Sequence, residues 1–232
     1  MAALENGEFD VYLRPTGFID CDHPAVIHFA RSAAGGAETT VEQAVRIFNA
    51  VRDGIRYDPY HITLDRERFK ASVVLERKSG YCVEKALLLT AASRVLGIPG
   101  RLHFADVRNH LTTRRLKETM KTDLFIYHGY TEMYLGGRWI KATPTFNRSL
   151  CERFGVKPMD FDGVNHAIFH EFDRKGNRHM EYVRDHGTFA DLPYDEIWEN
   201  FRKHYPDFFT REDASVAGNF EEEAGKEQLA GK

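Results

Sequence analysis

The sequence predicts an α+β protein in which a buried central helix packs on an antiparallel sheet. Three observations predict it. Helical periodicity dominates from Thr40 to Leu96, and period-two patterns follow from Arg101. The segment that divides them, Cys82–Leu96, is apolar around most of its circumference, which places it inside the molecule. Helices followed by a run of strands is the α+β order.

Taken in chain order, residues 1–38 are mixed. They carry turn signals at "RPTG" and "AAGGAE" and a short strand candidate, "FDVYL". Thr40 with Gln43 fits a capping box. Val41, Ala44, Val45, Phe48 and Val51 then recur at helical spacing, and Gly54 is a stop. "GIRYDPYH" reads as a loop, and 66–76 as a second, weaker helix. In the central helix Ser79 is the candidate N-cap, and Gly97 and Pro99 terminate it. A strand is expected over Arg101–Val107, an exposed helical or irregular excursion over "TTRRLKETMK", and a long strand over Leu124–Leu135. "GGR" turns that strand into "WIKATP", making a hairpin. A second hairpin is expected from "AIFHEF", "DRKGN" and "HMEYV". "LPYDEIWENFRKHY" is the last helix, with Pro193 near its first turn. The expected organisation is an N-terminal extension over 1–38 packing on the core, one domain over 39–209, and an acidic flexible tail over 210–232.

The length of 232 residues, 42% hydrophobic and 29% charged residues describe an ordinary globular chain. A net charge of −3 leaves no basic footprint for nucleic acid. The acidity sits in the tail, where Glu212, Asp213, Glu221, Glu222, Glu223 and Glu227 outnumber Arg211, Lys226 and Lys232. No run of eighteen apolar residues suggests a membrane span. The three cysteines, Cys21, Cys82 and Cys151, are widely spaced and odd in number, so no disulfide framework is expected. With no apolar leader at the N-terminus, a reducing cytoplasmic setting is the expectation.

Cys82 stands at the mouth of the central helix. There a thiol can be packing, since cysteine is among the most buried residue types, or a nucleophile. A nucleophile must attack as thiolate, and a helix N-terminus lowers the thiol pKa. Its own N–H could also face a developing oxyanion. A nucleophilic cysteine also needs a base. His128 lies mid-strand, on one face by alternation with Ile126, Tyr130, Glu132 and Tyr134. One histidine among eleven proves nothing alone.

"SGYCVEKALLLTAASRVLGIPGRLHFADV" resembles the cysteine box of the transglutaminase-like superfamily. "HGYTEMYLGGRWIKATPTFN" resembles its histidine box, and "TVEQAVRIFNAVRDGIRYDP" the helix that precedes both. The resemblance runs from Thr40 to Asn147. It implies a papain-like core, Cys82 as nucleophile and His128 as base and later acid. The implied chemistry is acyl transfer from an amide or peptide carbonyl through a thioester, resolved by water or an amine. It implies a peptide, protein or amide substrate and no cofactor.

The family triad ends in an aspartate before proline, whereas here Thr143 precedes Pro144. A threonine can accept a hydrogen bond from the imidazole but adds no negative charge. Thr143 or Asn147 could orient His128, a carboxylate such as Asp160 or Asp162 could enter, or the site could be inactive and the fold serve as a binding or scaffold module. Tyr81 is a candidate for lining the substrate cleft, or simply packs. Glu84 is expected to be a solvated first-turn charge, Trp139 a core residue and Glu132 a structural hydrogen-bonding group. His166 and His170, four apart, would suit a metal only on a helix, and no metal site is expected. No glycine-rich phosphate loop follows a strand.

Overall fold

The computed structural model describes residues 7, 9–63, 65–110, 112–169, 180–206, 213–215 and 218–230. Helix α1 (Pro24–Ala34) lies in the stretch expected to be irregular. Its signal is a proline at the first helical position and Val26, Ala30 and Ala34 buried on one stripe. The strand candidate at "FDVYL" is instead a single 3-10 turn, Asp10–Tyr12. It lays Phe9 and Tyr12 against Trp139.

Helix α2 (Thr40–Gly54) is capped one residue earlier than expected. Thr39 Oγ1 accepts the Glu42 N–H at 3.2 Å, and the Glu42 carboxylate accepts the Thr39 N–H at 3.2 Å. The box therefore uses Thr39 and Glu42, because a carboxylate at the third position also favours the helix dipole. Short strands β1 (Arg56–Tyr57) and β2 (His61–Thr63) follow. The weak helix splits into a 3-10 turn at Arg66–Phe69 and α3 (Ala71–Arg77). Strand β3 (Ser79–Gly80) runs parallel to β1 and leads into α4 (Cys82–Val95).

Helix α4 is the centre of the fold, with α1, α2 and α3 packed around it. Every residue from Val83 to Arg94 is buried, charged ones included. Lys85 is fully buried and donates to the carbonyls of Arg52 and Ile55 at 2.9 and 2.7 Å, closing the C-terminal end of α2. A cation there meets unpaired carbonyls and the negative end of a helix dipole. Burial nevertheless pulls its pKa down to about 7.

The sheet has four strands in the order β6-β5-β4-β7, all antiparallel: β4 (Gly100–Asn109), β5 (Leu124–Leu135), β6 (Arg138–Ala142) and β7 (Met180–Phe189). Helix α5 (Arg114–Met120) fills the excursion between β4 and β5, and α6 (Arg148–Phe154) follows β6. Thr131 on β5 donates to the Ala86 carbonyl at 3.0 Å and lies 3.1 Å from Thr90 Oγ1, which seats the sheet on α4.

The second expected hairpin falls only partly within the described residues. Strand β7 pairs with β4, and Ala167 instead bridges Ala142 in parallel. The rest of that hairpin, 170–179, lies outside the described residues. The last expected helix is α7 (Tyr194–His204). Within 210–232, β8 (Asp213–Ser215) pairs with β2, and α8 (Phe220–Ala230) buries Phe220 and Ala224. Among the described residues no helix is long and apolar enough to cross a membrane.

Candidate active site

The chain enters α4 through a tight passage. Lys78 ends α3 in the left-handed region (φ 55°), and Gly80 passes so close to α4 that a Cβ there would lie 2.9 Å from Glu84 Cβ. The N-cap is Tyr81, not Ser79, which is held in the β1–β3 pair. Cys82 is thus the first residue of the helix. Glu84 reaches back to accept the Tyr81 N–H at 3.0 Å and pairs with Arg77. Glu84 is therefore no solvated charge: it is 1% exposed, and burial raises its pKa to about 7 against the pull of Arg77. The reason is position, since the first turn of α4 lies under α3 rather than at the surface.

His128 is placed by a defect in the sheet. Val107 pairs with Phe125 and Ala105 with His128, so β5 carries one residue more than β4 between these pairs. This bulge corrects the simple alternation: Phe125, not Ile126, shares the sheet face of His128. Tyr127 absorbs the turn with φ 51°. A bulky residue there is strained, and it is held on three sides. Its N–H donates to Asp106 Oδ1 at 3.0 Å, its ring stacks on His186 at 4.0 Å, and its hydroxyl donates to Glu196 at 2.7 Å.

Gly129, the residue after His128, brings β5 against the start of α4. A Cβ at Gly129 would lie 3.0 Å from Val83 Cα. The N–H groups of Gly129, Val83 and Cys82 itself favour the charged form of the Cys82 sulfur. Cys82 and His128 both line one cavity, together with Tyr81 and Thr145.

Electrostatics keeps both groups neutral. Burial pushes the Cys82 thiol up to about 11, outweighing the three N–H groups that pull it down. The lowered thiol expected at a helix N-terminus is thus reversed by desolvation. Burial pushes His128 down to about 3, with no charged neighbour to oppose it. Nε2 of His128 is buried and has no hydrogen-bond partner, so it bonds neither the thiol nor an orienting group. Of the three cysteines, Cys82 is half-buried, while Cys21 and Cys151 are buried.

Thr143 is fully buried, and its Oγ1 also has no hydrogen-bond partner. It lies beside the hydroxyl of Tyr182, close enough to influence that group, but the two do not meet in hydrogen-bond geometry. The Tyr182 ring is 6.5 Å from that of His128. Asn147 is engaged elsewhere: it accepts the Tyr57 N–H at 3.1 Å and donates to Ser149 at 2.6 Å. Asp160 sits with Lys157 and Arg52, and Asp162 accepts the N–H groups of Val164 and Asn165. The structure therefore gathers Tyr81, Cys82 and His128 at one cavity, whose lining includes neither Thr143 nor Asn147.

Glu132 is buried, bonding Arg101 and His103. Trp139 is half-buried rather than core, with the Arg101 guanidinium 3.9 Å over its ring. His166 Nδ1 accepts the Lys141 N–H, and His170 lies outside the described residues. Sequence reasoning missed Gly129 and Tyr182. A glycine inside an aromatic-rich strand signals close backbone approach, so Gly129 could have been found. Nothing local marks Tyr182, which β7 brings to the site from far along the chain.

The sequence model of the transglutaminase-like superfamily matches residues 27–144. No curated protein matches. A solved structure of a candidate cysteine protease from Cytophaga hutchinsonii is 21% identical, with a TM-score of 0.47, over 60% of this chain and 43% of that one. A candidate protease from Parabacteroides distasonis is 17% identical, with a TM-score of 0.37, over 51% of this chain and 22% of that one. The chain thus spans less than half the length of either. The family match covers just over half of the 232 residues and takes in the cysteine helix, the His128 strand and Thr143, so the chain belongs to the transglutaminase-like superfamily.

Proposed function

We propose that the chain is a cysteine-dependent enzyme acting on an amide or peptide carbonyl through a thioester. Cys82 is the nucleophile and His128 the base. One observation carries this reading: Cys82 is the first residue of α4 and shares a cavity with His128. The resting pair is neutral, so His128 takes the thiol proton as Sγ attacks rather than before. The N–H groups that begin α4 have no intrahelical partner and favour the negative charge of the tetrahedral intermediate. His128 then returns the proton to the leaving amine, and water or a second amine resolves the thioester. Thr143 fills the slot of the usual aspartate without its charge.

A second reading, a binding or scaffold module of the same fold, is favoured by the unbonded Nε2 of His128. Intact-mass spectrometry with activated esters and peptide amides separates the two. Acyl transfer predicts an adduct on Cys82, lost in Cys82→Ala and slowed at least about 100-fold in His128→Asn. Folded protein that forms no adduct with any ester or amide supports the module.

A further inference from the structure

The cavity that Cys82 and His128 share is apolar for nearly all its length. Its walls include Leu116 and Met120 of α5, Phe125 of β5, Phe146, Phe169 and Phe201. No carboxylate, ammonium or guanidinium lines it among the described residues. Its polar groups include Thr145, whose Oγ1 is buried and unpartnered. The cavity is partly open to solvent, with about 50 Å³ of space free for the centres of water-sized groups. That space is enough for a few water-sized groups, or for the branch of a small apolar acyl chain.

We infer that this cavity is the acyl pocket, and that the acyl groups Cys82 accepts are uncharged and apolar, of the branched aliphatic or arylacetyl kind. The inference rests on the reading of Cys82 as nucleophile. A charged acyl group would surrender its hydration inside these walls and find no opposite charge among the described residues. An apolar one gains by leaving water. The bulge at Tyr127 makes the pocket possible, because Phe125, Ile126, Tyr127 and His128 all reach its wall from consecutive positions.

The test uses the full chain and four p-nitrophenyl esters: acetyl, isovaleryl, phenylacetyl and succinyl. In each reaction the Sγ–acyl bond forms and the ester's bond between the acyl carbon and the phenolic oxygen breaks. The thiol proton leaves through His128, and p-nitrophenolate is released and read by absorbance. Adducts are assigned to Cys82 by peptide mapping. The expected result is an acylation rate about 50- to 100-fold higher for isovaleryl than for acetyl, the order for three more carbons entering an apolar pocket, and no lower for phenylacetyl, which adds six. Succinyl should fall below acetyl. Met120→Trp should lower the phenylacetyl-to-acetyl ratio at least about tenfold. Equal rates, or a preference for acetyl or succinyl, overturn the pocket while leaving Cys82 as nucleophile. No acylation of Cys82 by any ester overturns the catalytic reading and this inference with it.

Discussion

Gly129→Ala tests whether the close approach of β5 to α4 builds the site. The added Cβ would sit 3.0 Å from Val83 Cα, 3.1 Å from Phe104 Cε1 and 3.2 Å from Val83 Cγ2. Val83 and Phe104 are 1% and 0% exposed, so neither can step aside into solvent. One of the contacts is backbone, so the strand must retreat by tenths of an ångström. Overpacking of this kind costs about 1–3 kcal/mol. The lower entropy of the unfolded alanine chain offsets about 0.4–1 kcal/mol. A net loss of about 1–2 kcal/mol lowers Tm by roughly 3–8 °C for a chain of this size. The retreat also withdraws the Gly129 N–H from the Cys82 sulfur, which raises the thiol pKa further. Iodoacetamide alkylation of Cys82 at pH 8 should slow roughly 3- to 10-fold, as for half to one pKa unit. Differential scanning calorimetry and peptide-resolved alkylation read the two effects. A variant with unchanged Tm and an unchanged Cys82 rate would refute the idea that this contact positions the thiol.

With the Cys82 thiol at about 11, its alkylation should climb about tenfold per pH unit from 7 to 10. A plateau with a midpoint below pH 7 would mean that a thiolate–imidazolium pair exists instead. Cys21 and Cys151 are buried and should label only when the protein opens. His128 has its pKa lowered to about 3, so the unfolded chain binds its proton first, and stability is lost as pH falls from about 6.5 toward 3. His128→Asn removes that loss, so urea unfolding at pH 4 should favour the variant by about 3 kcal/mol relative to its difference at pH 7.5. A constant difference across this range would show that His128 titrates normally. Lys85→Met leaves the Arg52 and Ile55 carbonyls without their donor and should cost about 1–3 kcal/mol in the same assay. Wild-type stability in that variant would mean that the α2 terminus is satisfied another way.

Much of the architecture could be read locally. The apolar wrap of Cys82–Leu96 identified the buried helix, and alternation located β5 at the bounds the structure shows. Reading failed where a residue's role depended on what lay across from it. Ser79 satisfied the composition of an N-cap, yet its pairing with Arg56 moved the cap to Tyr81. The pairing of β7 with β4 joins segments roughly 80 residues apart, which alternation along either one cannot link. Alternation along β5 assigned Ile126 to the His128 face, and a bulge set by pairing with β4 replaced it with Phe125.

The same division holds at the site. Residue types, order and spacing were enough to single out Cys82 and His128 and to notice that Thr143 occupies the slot of an acid. A linear pattern encodes which groups a chain carries and how far apart they lie along it. Their protonation is a property of the surroundings. A helix N-terminus argues for a low thiol pKa, and only the packing of β5, α3 and the aromatic walls around it raised that pKa to about 11. Desolvation sums over every neighbour in space, most of them distant in sequence, so the neutral state of the Cys82–His128 pair was decided by the folded molecule alone.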